Sequence, residues 1–112
     1  MVIFTRTREL LYWLLPRCER FPKAQRFVVT KRLQDAALDF QETIFLANVY
    51  SGRKRLEALN QADAHLQMVR FYLQMVFEWH WLDSGQYAHV SKIVAEVGRL
   101  LGGWIRQTQG RG

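Results

Sequence analysis

The chain has 112 residues and a mass of 13.3 kDa, with 49% hydrophobic and 23% charged residues, which suits one folded domain and excludes disorder over most of its length. Only two prolines and seven glycines are present, three of those glycines in the last ten residues, so the interior is too poor in turn residues for a sandwich or barrel of short strands. Net charge is +6, and the excess lies at one end: residues 1–32 carry eight basic and two acidic side chains, whereas residues 33–112 carry eight of each.

The first segment, about residues 5–20, reads as a helix because Leu10, Leu11, Leu14, Leu15 and Cys18 recur at three- and four-residue spacing. Pro16 removes one backbone donor there and predicts a kink or a thinned last turn. Phe21-Pro22 is a break, and Pro22 suits the first turn of a second helix over about residues 23–50. That helix has an apolar stripe of Val29, Leu33, Ala36, Ala37, Phe40, Ile44 and Ala47, with Lys31, Asp35, Asp39 and Glu42 opposite. Ser51-Gly52 ends it, and the basic triplet Arg53-Lys54-Arg55 is placed in the turn that follows.

The third helix, about residues 56–81, has two apolar stripes. Leu59, Ala62, Leu66, Val69, Leu73, Val76 and Phe77 form one. Met68, Phe71, Tyr72, Met75 and Trp79 form the other, more than about 100° around the helix, with Gln67, Arg70, Gln74 and Glu78 between them on one side. One core can bury only one stripe well, so the second predicts another partner, most simply a neighbouring subunit; cover by the first helix is the alternative.

Leu82-Asp83-Ser84-Gly85 is the next turn, where Asp83 or Ser84 can cap a fourth helix running from about residue 84 to 108. Val90, Ile93, Val94, Val97, Leu100, Leu101, Trp104 and Ile105 face its core. Ala88, Ser91, Ala95, Gly98 and Gly102 make a row of small residues open to close approach by another backbone, within the subunit or across an interface. Lys92, Arg99 and Arg106 form a basic row beside it, and the tail Gly110-Arg111-Gly112 is expected to fray. Four long helices with short connections over residues 1–112 predict an all-α, up-down-up-down four-helix bundle.

The residues for catalysis are missing. His65, His80 and His89 pair with no carboxylate at metal-ligand spacing, and neither a zinc-protease, phosphate-loop nor nucleophile-elbow motif occurs. Cys18 lies near Arg17 and Arg20, but a lone cysteine on an apolar stripe reads as packing, and it excludes an internal disulfide. No apolar run approaches the ~18 residues of a membrane span. Met1 to Arg6 has none of the pattern of a signal peptide, which predicts a cytoplasmic protein. The stronger signal is basic. Arg17, Arg20, Lys23 and Arg26 surround the first break, Lys31 and Arg32 follow, and Arg53-Lys54-Arg55 mark the second turn. These two turns lie at opposite ends of an antiparallel bundle, so the positive surface runs along the molecule and suits a phosphate backbone. Trp13, Phe21, Trp79 and Trp81 offer rings for base stacking, although packing in core or interface is the commoner use.

The chain resembles the Avd family, the accessory variability determinants of diversity-generating retroelements, which is related to four-helix-bundle proteins encoded in intervening sequences of ribosomal RNA genes. The resemblance rests on Trp13-Leu14-Leu15-Pro16, Phe21-Pro22-Lys23, Arg26-Phe27 and Arg32-Leu33, on Leu66 to Leu73 around Arg70, and on Glu96-Val97-Gly98-Arg99-Leu100-Leu101-Gly102-Gly103-Trp104-Ile105. It implies a pentameric barrel with a basic exterior that is not an enzyme, needs no cofactor, and binds a reverse transcriptase and template RNA or cDNA during mutagenic reverse transcription. Arg70 matches a basic position of the family's third helix, but Gln74 stands where a second basic residue is common, and Asp63 and Glu78 add acidic groups nearby. The expected nucleic-acid surface is therefore Arg17, Arg20, Lys23, Arg26, Lys31, Arg32, Arg53, Lys54, Arg55, Arg70, Lys92, Arg99 and Arg106. The expected oligomer interface is Met68, Phe71, Tyr72, Met75, Trp79, Gly98 and Gly102. The alternative is a protein-interaction module of the ribosomal intervening-sequence type without a polymerase partner.

Overall fold

The computed structural model describes residues 1–110, and these form four antiparallel helices: α1 (Val2–Cys18), α2 (Lys31–Val49), α3 (Gly52–Glu78) and α4 (Ser84–Gly110). No strand occurs among the described residues, and the bundle measures 45 × 26 × 19 Å. Each helix packs on its successor, and α1 closes the bundle against α4. The all-α bundle expected from the apolar periodicity is therefore the observed fold. Among the described residues no helix is long and apolar enough to cross a membrane.

The predicted stripes are the core. Leu10 and Leu14 of α1, Leu33, Phe40 and Ile44 of α2, Leu59, Leu66 and Val69 of α3, and Val90, Val97 and Leu101 of α4 are almost wholly buried. Fully burying a side chain of this size stabilises the fold by about 1.5–3 kcal/mol, and the four stripes together supply the main favourable free energy. Leu100 and Ile105 are half-buried against this core. Across the α1–α4 seam, Arg6 Nε donates to Glu96 Oε1 at 2.9 Å, and the Phe4 ring stands edge-on to Trp104 at 6.1 Å.

Several boundaries differ from the sequence reading. Helix α1 runs through Pro16 and stops two residues later, so the proline thins the last turn, where little of the helix follows it. Residues 23–50 are not one α-helix. Pro22 precedes a 3₁₀ turn (Lys23–Gln25), a π turn (Arg26–Thr30) follows, and α-geometry begins only at Lys31. A π turn closes i to i+5 hydrogen bonds and shifts the helical phase. Within it Val29 and Thr30 are buried, whereas Phe27 is 81% exposed.

The α2–α3 link is only Tyr50-Ser51, and Gly52 starts α3 with a left-handed φ of 58°. Arg53, Lys54 and Arg55 consequently lie in the first turn of α3 and not in the connection. At the other end α3 stops at Glu78, short of Trp81. The Trp81 N–H donates to the Val76 carbonyl and the His80 N–H to the Phe77 carbonyl, each at 2.9 Å. This crossed pair, with His80 left-handed at φ 64°, is the Schellman arrangement, normally built on glycine. Asp83 is the cap of α4: its Oδ1 accepts from the Gln86 N–H at 2.7 Å, and Gln86 Oε1 accepts from the Asp83 N–H at 2.9 Å. Helix α4 continues through Gly110, where fraying was expected; Arg111 and Gly112 lie outside the described residues.

Candidate functional site

The second stripe of α3 is open to solvent. Phe71 is 58% exposed, Met68 50% and Trp79 45%, while Tyr72 and Met75 are half-buried against the core. Helix α1 packs on α2 and α4, leaving the alternative in which it covers this stripe unfulfilled in the single chain. The Phe71 and Tyr72 rings meet edge-to-face at 5.4 Å, and Trp79 lies 5.2 Å from Trp81, which in turn meets buried Phe21 at 5.3 Å. A continuous aromatic seam therefore joins the open stripe to the α1–α2 connection. Trp13 stacks under the Arg17 guanidinium and beside His89, so it is not open on both faces to a base.

A second apolar face was not anticipated. Leu38, Phe45, Leu46 and Val49 are exposed on α2, the last by 79%, and Phe45 stacks on Phe4 at 5.4 Å. With Lys31 and Glu42, Leu38, Phe45 and Val49 share one side of the helix wheel. Lys31 and Glu42 on the same side interrupt its apolar spacing in the sequence.

The thirteen basic positions separate into two groups. Some have partners within the chain. Arg17 donates to the Trp13 carbonyl at 2.8 Å, and Lys31 pairs with Asp35 at 2.6 Å. Arg55 Nε donates to the Ala47 carbonyl at 2.9 Å, satisfying a group left over at the end of α2. Lys54 lies over the Tyr50 ring at 4.8 Å. Others are exposed and have no ion pair among the described residues: Arg20, Lys23, Arg26, Arg32, Arg53, Lys92, Arg99 and Arg106. Three of these eight, Arg20, Lys23 and Arg26, lie in the α1–α2 connection, and Arg32 follows in the first turn of α2. Arg8, not singled out from the sequence, extends charge along α1 and lies over Tyr12 at 4.3 Å, whereas Arg6 is paired with Glu9 and Glu96.

Gly98 is occupied from within the chain. A Cβ there would collide with the Arg70 guanidinium, which reaches over from α3. Gly102 and Gly103 lie beneath Arg106. The small row of α4 thus receives arginine side chains at Gly98 and Gly102. Arg70, half-buried, borders an α3–α4 cleft together with Gln74 and Ser91.

Among the described residues no group of three or more His, Cys, Asp and Glu is placed to hold a metal ion. Cys18 is 3% exposed, and burial pushes its thiol up to about 12, so it stays protonated and poorly nucleophilic.

Comparison with known proteins gives two findings. A family model described as bAvd-like matches residues 1–108. The fold is similar to that of a protein of unknown function from the S23 ribosomal protein family of Bacteroides thetaiotaomicron VPI-5482, with a TM-score of 0.84 at 18% identity, covering 94% of this chain and 96% of that one. A search of curated protein sequences returned no match.

Proposed function

The chain belongs to the bAvd-like family, and on that premise we propose that it is a non-catalytic accessory protein of a diversity-generating retroelement, acting in the cytoplasm. Copies of it close into a ring, five by the family resemblance, through the Met68, Phe71, Tyr72, Met75 and Trp79 stripe. The ring holds a reverse transcriptase on its template RNA and the nascent cDNA. The observation that carries this reading is the combination, on one small bundle, of an open aromatic stripe and eight exposed basic side chains with no ion pair among the described residues. Repetition around a ring multiplies that charge and lengthens the surface that can follow a phosphate backbone. No base-reading element enters a groove in this reading, so affinity comes from counterion release.

Co-purification with the polymerase of the same element, with and without its RNA, tests the partnership. Recovery of the polymerase in both conditions supports a protein–protein platform, and failure in both overturns it. A salt titration tests the electrostatic part: log K should fall steeply and linearly with log salt, and a flat dependence removes the basic surface from the argument. The likeness to the S23-family structure supports the shared fold alone; the alternative reading is a protein-interaction bundle of the ribosomal intervening-sequence type without a polymerase. That reading predicts no reverse transcriptase gene beside this one.

A further inference from the structure

Arg26 stands seven residues before Leu33, a side chain with 0% exposure, and an unbroken α-helix would bring the two to one face. The π turn over Arg26–Thr30 removes that conflict. Its wider repeat puts the chain out of phase with α2, and Arg26 emerges in solvent. The turn has a cost. It directs the Arg26 carbonyl to the Lys31 N–H, and the buried Thr30 hydroxyl has no partner, whereas Thr7, Thr43 and Thr108 each donate to the carbonyl four residues back. Single π turns occur frequently at functional sites, and what this one presents to water is Arg26 beside Phe27.

Phe27 is 81% exposed, the most open large apolar side chain among the described residues. Its ring meets no other ring and no cation among them. The surroundings are wholly basic: residues 20–32 hold five basic side chains and no acidic one. Lys23 lies one turn before Phe27, with Lys31 and Arg32 one turn after, and of the five cations only Lys31 has an ion pair among the described residues. A second copy of the chain would bring the same cations to this face, and like charges oppose that contact. An anionic bilayer would attract the cations, but insertion needs a continuous apolar face, and Phe27 and Val28 are the only large apolar side chains exposed in this stretch. A single-stranded nucleic acid matches both features, offering phosphates to the cations and the flat face of a base to the ring.

Resting on the nucleic-acid reading above, we propose that Phe27 is a stacking platform for one base of a single strand whose phosphates are held by Lys23, Arg26 and Arg32. The base lies on the ring and makes no hydrogen bond that reads its identity, so the site accepts any base. A duplex keeps its bases stacked on one another and leaves the ring unused, so the site favours unpaired strand.

Fluorescence anisotropy at fixed low salt separates ring from charge. Three probes are used: a single-stranded RNA of about ten nucleotides, within the usual site size, an abasic strand of equal length, and a duplex of equal length. Phe27→Ala should weaken binding to the base-bearing strand at least about fivefold, the low end for loss of a stacking ring, and leave the abasic strand and the duplex unaffected. Phe27→Trp should keep wild-type affinity, and Phe27→Leu, apolar without a π-face, should lose as much as the alanine. The alanine should leave the slope of log K on log salt unchanged, whereas Arg26→Gln should flatten it by roughly 0.7, the weight of one phosphate contact on a single strand. Because Phe27 is exposed, every variant should keep the wild-type circular dichroism spectrum and sedimentation coefficient. Wild-type affinity of Phe27→Ala for the base-bearing strand overturns the stacking site and leaves the nucleic-acid reading standing, as does Phe27→Leu binding as tightly as Phe27→Trp. Failure of the wild type to bind any of the three probes overturns both. Loss of the assembly in Phe27→Ala would assign the ring to a contact between copies. Loss of binding to phosphatidylserine vesicles, with oligomer affinity unchanged, would assign it to a membrane. Either outcome overturns the proposal.

Discussion

Phe71→Glu is the sharpest perturbation of the proposed assembly. In the single chain Phe71 keeps 58% of its surface in water. Fully burying a phenylalanine is worth about 1.5–3 kcal/mol, so sealing the remaining surface against a sister copy contributes roughly 1–2 kcal/mol per subunit. A glutamate at this position forfeits that gain and places a carboxylate in an apolar interface, at a further cost of at least about 2 kcal/mol. The interface then weakens by about 3 kcal/mol or more, a factor of over ~100 in the association constant. The isolated bundle should change by less than about 0.5 kcal/mol, because the position is exposed and glutamate is a better helix former than phenylalanine. Sedimentation velocity at micromolar concentration reads the assembly, and far-UV circular dichroism with thermal melting reads the fold. The expected result is a ring for the wild type and a folded 13.3 kDa monomer for the variant. Two results refute the reasoning: a monomeric wild type, or a variant that sediments with the wild type. Val49→Glu, on the other open apolar face, should leave the ring intact.

Three further outcomes follow from the geometry. His80 occupies a left-handed position where a side chain costs about 1 kcal/mol, so His80→Gly should raise stability by roughly 0.5–1 kcal/mol in urea unfolding; a destabilised variant would show that the imidazole has a role the backbone argument omits. Gly98→Ala displaces only the far end of the flexible Arg70 side chain while gaining up to ~1 kcal/mol of helix propensity, so it should melt at or above the wild-type temperature; a loss beyond about 1 kcal/mol would mean that Arg70 cannot leave its seat. The Cys18 thiol is raised from 9.0 to about 12 by burial, so the folded state holds its proton more tightly than the unfolded chain. Its contribution to stability is complete below pH 9 and is lost as pH rises toward 12, at a slope on the order of 1 kcal/mol per pH unit. Cys18→Ala should therefore show a flatter alkaline profile than the wild type between pH 9 and 11, and parallel profiles would remove burial as the cause.

Much of the fold was legible because helix geometry is local. A rotation of about 100° per residue turns the order of Leu59, Leu66, Val69 and Leu73 into a face without knowledge of any other helix. The same rule exposed the second stripe of Met68, Phe71 and Trp79, and the cap at Asp83 is a short-range pattern that needs only four residues. The α1–α2 connection escaped that logic. The π turn changes the phase of the helix over Arg26–Thr30, and its effect on Thr30 depends on where one carbonyl is sent.

The basic surface shows the division most clearly. The order of charged residues along the chain places the positive excess in residues 1–32. Which cations remain exposed was decided by partners distant in the chain or brought close by a turn: Arg55 is held by the α2 carbonyls, Arg6 by Glu96, and Arg70 by the gap at Gly98. A linear sequence specifies the period of each helix, because the repeat is set by its own backbone. It does not specify the rotation and height at which two helices meet, and an arginine long enough to cross between them takes its destination from that meeting.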